Sequence, residues 1–135
     1  MFFGQINNYL VPAGEAETII PIKTIMNTNE KVINKRGVIS FLKNGKYNVD
    51  ASISVSADTP QNVNVNVYTD DGVRTSVLAT IPEAPSADEP GTVNISLIDA
   101  IEVILTRYRN IANIYIGVDQ SNVTVNGYVR VEYMR

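Results

Sequence analysis

The side chains most used for chemistry near neutral pH are missing, since the 135 residues include no His and no Cys. Thiol catalysis, disulfides, zinc fingers and imidazole-based triads are excluded, and with them most transition-metal sites. Carboxylates remain. Asp70 and Asp71 stand beside Gly72, where Asp is an ordinary turn former. Asp88 and Glu89 fall in the loop PEAPSADEPG over 82–91 and read as solvated. Asp99 and Glu102 share a face only on a helix, and that face reads as an exposed polar side. None of these pairs has a basic partner or a Gly-rich cradle at recognisable spacing. Asp119, after Gly117-Val118, belongs to no cluster, whereas calcium takes about six or more oxygen ligands. The residue types therefore predict a protein that is not an enzyme and holds no cofactor or metal.

Charge narrows the partners. The formal net charge is -3, which argues against a nucleic-acid binder held by phosphate contacts. Lys31, Lys35, Arg36, Lys43 and Lys46 are close in sequence and read as a solvated face or an interface, with an anionic ligand as the alternative. Asn94-Ile95-Ser96 and Asn122-Val123-Thr124 match the N-glycosylation pattern, a coincidence in an Asn-rich chain without a visible secretory signal. No apolar run approaches the ~20 residues of a membrane helix, so no membrane partner is expected. Asn, Tyr and acidic side chains at loop tips offer donors, acceptors and stacking faces for sugars. The same residues are normal on strands and turns.

The elements that must position these groups are strands. The chain has 17 Val and 16 Ile against 5 Leu, and β-branched side chains pack well on a pleated surface. From Tyr47 to Ala57 the odd positions read Tyr, Val, Ala, Ile, Val, Ala and the even ones Asn, Asp, Ser, Ser, Ser. That period of two is a strand with one buried face. Val63, Val65 and Val67 alternate with Asn, and Val73 to Ile81 alternates again after Asp70-Asp71-Gly72, so the pair reads as a hairpin. Further stripes are Val93, Ile95 and Leu97; Ala112, Ile114, Ile116 and Val118; and Val123, Val125, Val129 and Val131. Thr18 to Ile25 is β-rich, with Pro21 marking an edge or a bulge. The stretch 97–109 fits both a bent strand and a short helix capped by Ser96. Residues 1–15 read as a flexible arm, with Phe2, Phe3, Ile6, Tyr9 and Leu10 as its apolar anchors, and 16–135 as one all-β antiparallel sandwich of about eight strands.

The order of these signals resembles the trimeric jelly-roll superfamily of tumour necrosis factors and complement-type globular heads. Ile20-Pro21-Ile22 through Asn27-Thr28-Asn29 is similar to the family's opening strand and Asn-containing turn. Val38-Ile39-Ser40-Phe41 followed by Asn44-Gly45-Lys46-Tyr47 resembles its apolar strand leading into a Gly-x-Tyr signature. Thr92 to Ser96 resembles the fifth strand, and Val123 to Val129, with Gly127-Tyr128, the closing one. The resemblance spans about residues 18 to 133. The chain departs from the pattern in having Tyr108-Arg109-Asn110 roughly where the family has a Gly-Asp turn, and in lacking Trp.

The resemblance implies a homotrimer, in which one patch is used three times around a closed ring. Tyr47, Tyr115, Tyr128 and Tyr133 are the candidate interface aromatics, since Tyr joins apolar area to a polar tip. A displayed jelly roll with an apolar arm, no Cys and no visible signal peptide leads to an expected role by analogy. That role is a structural protein of a bacteriophage virion: a head fibre, capsid decoration or tail-associated module. The arm would join other virion proteins, and a host-surface glycan is a possible further partner. The alternative is a carbohydrate- or receptor-binding module on a bacterial cell or spore surface.

Overall fold

The computed structural model describes residues 1–13, 18–28, 30–70, 72–105 and 113–134, without the side chains of 72–74. Among the described residues there are eleven strands and no helix. They are β1 (Phe2–Leu10), β2 (Thr18–Ile20), β3 (Lys23–Asn27), β4 (Val32–Lys35), β5 (Val38–Phe41), β6 (Gly45–Ala57), β7 (Gln61–Thr69), β8 (Gly72–Ile81), β9 (Gly91–Val103), β10 (Asn113–Val118) and β11 (Thr124–Met134). Two antiparallel sheets form a jelly-roll sandwich. One has the order β3-β1-β11-β6-β9; the other has the order β4-β5-β10-β7-β8, with β2 also paired to β10. The chain passes repeatedly from one sheet to the other, and the hairpins β4–β5 and β7–β8 are the sequence-adjacent pairs.

The period of two decides which side chains fill the space between the sheets. On β6, Tyr47, Val49, Ala51, Ile53, Val55 and Ala57 all point inward and are buried. Val63, Val65 and Val67 of β7 face them from the opposite sheet, with Ile114, Ile116 and Val118 of β10. Val123 and the inward residues Val125, Val129 and Val131 of β11 complete the layer. The expected hairpin over 61–81 is present, from Gln61 opposite Ile81 to Thr69 opposite Gly72.

Two expectations are corrected and one open alternative is decided. Residues 2–10 are not a free arm. They form β1, hydrogen-bonded between β3 and β11, with Phe2 and Ile6 in the core and Tyr9 packed against it. The physical reason is area: burying a large apolar side chain stabilises by roughly 1.5–3 kcal/mol, and the sheet offers β1 a ladder to β11 on one side and to β3 over Phe2–Gln5 on the other. The strand count rises from about eight to eleven because β1 and β4 join and because Pro21 divides Thr18 to Ile25. At Pro21-Ile22 the chain leaves the β2 ladder for β3 in the other sheet, and Ile22 N–H donates to the Gly37 carbonyl at 3.1 Å. The short helix at 97–109 is absent as far as the structure describes it. β9 runs unbroken to Val103 because it pairs with β6 from Gly45 opposite Val103 to Ala57 opposite Gly91, and that ladder overrides a local helical stripe. Residues 106–110 lie outside the described residues, as does Ala112 of the expected stripe.

The Gly45-x-Tyr47 motif has a packing cause. Gly45 has φ +151°, and a Cβ there would collide with the ring of Tyr133. Tyr133 in turn meets the edge of Tyr47 at 5.3 Å between ring centres, and Tyr47 packs on Phe41 at 4.7 Å. The Tyr47 hydroxyl donates to the Lys43 carbonyl at 2.7 Å.

Truncating Phe2 to Ala is expected to cost about 3–5 kcal/mol in urea denaturation, because Phe2 is wholly buried. A loss under about 0.5 kcal/mol, typical of an exposed position, would restore the arm. A second prediction concerns alkali. Burial, and then repulsion from Tyr133, raise the Tyr47 phenol above its ordinary value of about 10. The unfolded chain therefore loses this proton first, and stability present below about pH 10 is lost as pH climbs toward the raised folded value. A pH series of thermal midpoints should show a fall above pH 10 that is shallower in Tyr47→Phe.

Candidate interface on the five-stranded sheet

The outward positions of the five-stranded sheet combine into rows fixed by register. Phe3 stands between Met26 of β3 and Arg130 of β11; Arg130 lies opposite Asp50 of β6, and Asp50 opposite Ile98 of β9. Arg130 Nη2 donates to Asp50 Oδ2 at 3.1 Å in the middle of this row, with both side chains about half exposed. At that exposure the ion pair is worth at most about 1 kcal/mol. Tyr128 occupies the next row, opposite Gln5 and Ser52. Its ring stacks on Phe3 with centres 5.4 Å apart and 24° between planes.

The apolar members of this face are left in water. Ile98 is 77% exposed, Tyr128 50% and Met26 43%. Two shallow depressions flank Tyr128. One, of about 240 Å³, is lined by Gln5, Ser52, Ser54, Asn94 and Asn126 with the Gly127 backbone. The other, of about 230 Å³, is lined by Phe3, Asp50, Ser52 and Arg130. A third depression, of about 460 Å³, lies toward one end between Lys46, Glu102 and Met134.

Gly127 shapes this face. It sits at φ +157°, and a Cβ there would collide with the Ser52 carbonyl oxygen of β6. A residue without a side chain lets β11 stay against β6, while the alternation along β11 puts Tyr128 outward. β1 is irregular at the same level: its pairing with β11 shifts register between Ile6 and Tyr9, and Asn8 at φ 46° donates its N–H to Asn126 Oδ1 at 2.7 Å.

Of the four tyrosines expected at an interface, Tyr47 and Tyr133 meet, but the four share no one surface. Tyr47 is corrected outright, since it is wholly buried inside its own chain and has no surface for a second copy. Tyr115 lies on the outer face of the other sheet, stacked on Tyr68 at 5.1 Å. Tyr133 is half-buried near one end, with Lys31 Nζ 4.7 Å from its ring centre. Tyr128 alone of the four stands on the face just described. Sequence reasoning missed Met26 and Ile98, and grouped Phe3 with an arm. The available signal was parity: Ile98 is a large apolar residue at an outward position of an alternating strand, which a helical stripe had absorbed.

Three of the other candidate carboxylates hold neighbouring strands and loops, and Asp71 lies outside the described residues. Asp70 accepts from Asn113 N–H and Nδ2, Asp119 from Asn64 N–H and Nδ2, and Asp99 from the Thr75 hydroxyl. Among the described residues no group of three acidic side chains is placed to hold a metal ion. The basic residues divide, because Lys31 precedes β4 and Lys35-Arg36 end the same hairpin at its far turn, while Lys43 and Lys46 border the start of β6.

Two sheets in this order define the class, a jelly-roll sandwich of the TNF-like type. Among solved structures, the chain is similar to murine APRIL at pH 8.0, with TM-score 0.62 and 8% identity over 96% of this chain and 98% of that one. It is also similar to rabbit GITRL, with TM-score 0.55 and 10% identity over 100% and 95%. The PRD1 vertex protein P5 matches with TM-score 0.53 and 15% identity over 95% and 93%. No known protein-family model and no curated protein matches the chain in sequence. At these identities the likeness establishes the fold.

Gly127→Ala is expected to lose about 1–3 kcal/mol from backbone conformation alone, and more from the collision with Ser52. Urea denaturation measures this; a variant as stable as wild type would show that the strained geometry is not needed.

Proposed function

We propose that the protein is a non-enzymatic structural protein of a bacteriophage virion, assembled as a homotrimer and displayed on the particle as a head fibre, capsid decoration or tail-associated module. The observation that carries the trimer is the outer face of the five-stranded sheet. Its five strands, about 4.8 Å apart and up to about 43 Å long, give a face of roughly 800 Å². A standard interface takes about 800 Å² from each partner. The face carries an apolar and aromatic row that water solvates poorly, with depressions on either side of Tyr128 that a neighbouring copy can fill. Ile98 projects from the edge strand β9, while the depressions lie over the central strands β11 and β6. Edge on one copy against face on the next is a heterologous contact, the kind that closes a threefold ring.

The virion context is supported by the fold shared with the PRD1 vertex protein P5 over nearly the whole of both chains. Attachment to the particle does not use a free arm of residues 2–10, because Phe2 and Ile6 are committed to the core. Capsid and tail genes are the expected neighbours of its gene; spore-coat or cell-surface genes there would replace this reading with the surface-module one.

Sedimentation equilibrium tests the assembly. The wild type should sediment at three times the 14.8 kDa chain mass. Ile98→Asp should weaken association at least tenfold while the isolated chain keeps its strand signal in circular dichroism. A wild type that stays monomeric at high concentration, or a variant that stays fully trimeric, overturns the assignment of this face.

A further inference from the structure

The outer face of the six-stranded sheet is built against the propensity of its own residues. On β7, Val63, Val65 and Val67 point inward, so Asn62, Asn64, Asn66 and Tyr68 take the outward positions, Asn62 exposed, Asn64 and Tyr68 partly exposed and Asn66 covered by its neighbours. Asn is depleted from strands, and β7 is not an edge: it lies between β10 and β8. Thr at these positions would keep the face polar and favour the strand. A run that breaks a local rule in this way marks a functional site.

The amides are also held in place. Asn62 Oδ1 accepts from the Thr80 hydroxyl at 3.1 Å. Asn64 donates through N–H and Nδ2 to the Asp119 carboxylate at 2.8 and 2.7 Å. Asn66 Nδ2 donates to the Tyr68 hydroxyl at 3.2 Å. On β10, Asn113 donates through N–H and Nδ2 to Asp70 at 2.9 and 3.0 Å. Beside them Tyr68 and Tyr115, directly opposite in register, stack with 13° between their planes. The result is a set of amide planes whose orientation is fixed before any ligand arrives.

The chemistry of this face selects its partner. β7, β10 and residues 75–81 of β8 contain no Lys or Arg; Arg74 of β8 and Lys35 of β4 are the basic residues on the strands of this sheet, fewer than the row of cations that phosphates or acidic polymers take. The neighbouring carboxylates of Asp70 and Asp119 are engaged with Asn side chains. Leu78 is exposed singly among Asn, Ser and Thr, which makes no apolar patch for a lipid surface. Each carboxamide can both donate and accept, which suits the hydroxyls of a sugar ring, and Tyr supplies an aromatic body for its C–H faces. From Asn62 to Tyr68 is about 20 Å along the strand, enough for several sugar units. We infer that this face binds a neutral oligosaccharide chain laid along β7. The inference rests on the displayed-trimer reading in one respect: with the five-stranded sheet turned to the neighbouring copies, the Asn-bearing sheet is the one left facing outward.

The experiment uses the full chain on an array of neutral oligosaccharides, with hits titrated by calorimetry. At least one neutral oligosaccharide should bind, and the double variant Asn62→Thr, Asn64→Thr should weaken it at least tenfold at unchanged thermal midpoint. Ser76→Arg, at an exposed position opposite Asn66, should block the same site without touching an Asn. It serves where the double variant fails to fold. Ile98→Asp should leave the affinity per chain within threefold, whatever it does to sedimentation, so failure of the trimer and failure of the glycan site are read separately. Binding to no neutral oligosaccharide at millimolar concentration overturns the inference. So does binding that survives Ser76→Arg, or binding of charged glycans alone.

Discussion

The structure depends on one apolar layer between two sheets, filled chiefly by the period of two along the long strands β6, β7 and β11. The inward residues of β6 join those of β7 and β10 in one buried cluster, and each position is fixed by ladders to β11 and β9 in its own sheet. Because alternation is strict, a slip of one residue in β6 would put Asn, Asp and Ser into the core and Val and Ile into water. That penalty is larger than any local preference in the chain. It explains why β9 stays extended through a stretch that also suits a helix, and why the apolar residues at the start of the chain are drawn in as β1.

The same alternation that builds the core divides the surface into two different outer faces. On the five-stranded sheet the outward positions include Phe3, Met26, Ile98 and Tyr128 around an Arg130–Asp50 pair. On the six-stranded sheet they are mainly amides and hydroxyls around a pair of tyrosines. Covering the first face removes apolar area from water, the favourable direction for association. It also desolvates the Arg130–Asp50 pair, which offsets part of that gain and favours a partner that leaves the two charges bonded to each other. The second face gains nothing from being covered by an apolar surface, and its fixed amides suit a hydroxylated ligand better.

Gly45 and Gly127 link the core to these faces. In both, the absent side chain lets another part of the molecule approach: the ring of Tyr133 over Gly45, and the Ser52 carbonyl beside Gly127. The Gly-x-Tyr and Gly-Tyr motifs that carried the family resemblance are thus packing motifs. They report where strands and rings come close, which is why they indicate the fold without indicating a ligand.

The sequence by itself determined the strand class, the inward set on β6, β7, β10 and β11, the β7–β8 hairpin and the lack of any imidazole or thiol chemistry. All of these rest on residue type and on a period of two, which are local. Tertiary structure decided the rest. Residues 2–10 carry apolar side chains whose fate depends on whether a neighbouring strand is open to them, and only the ladders of β3 and β11 supply one. Tyr47 and Tyr128 are the same residue type in similar Gly-containing contexts, yet the first lies wholly inside the chain and the second stands half in water. Parity along each strand separates the two, and it becomes a face only when the register with neighbouring strands is set. The row from Met26 through Phe3 to Ile98 joins residues distant in sequence. No local pattern places them side by side, because strand order in a jelly roll is set by which sheets can close over a shared core.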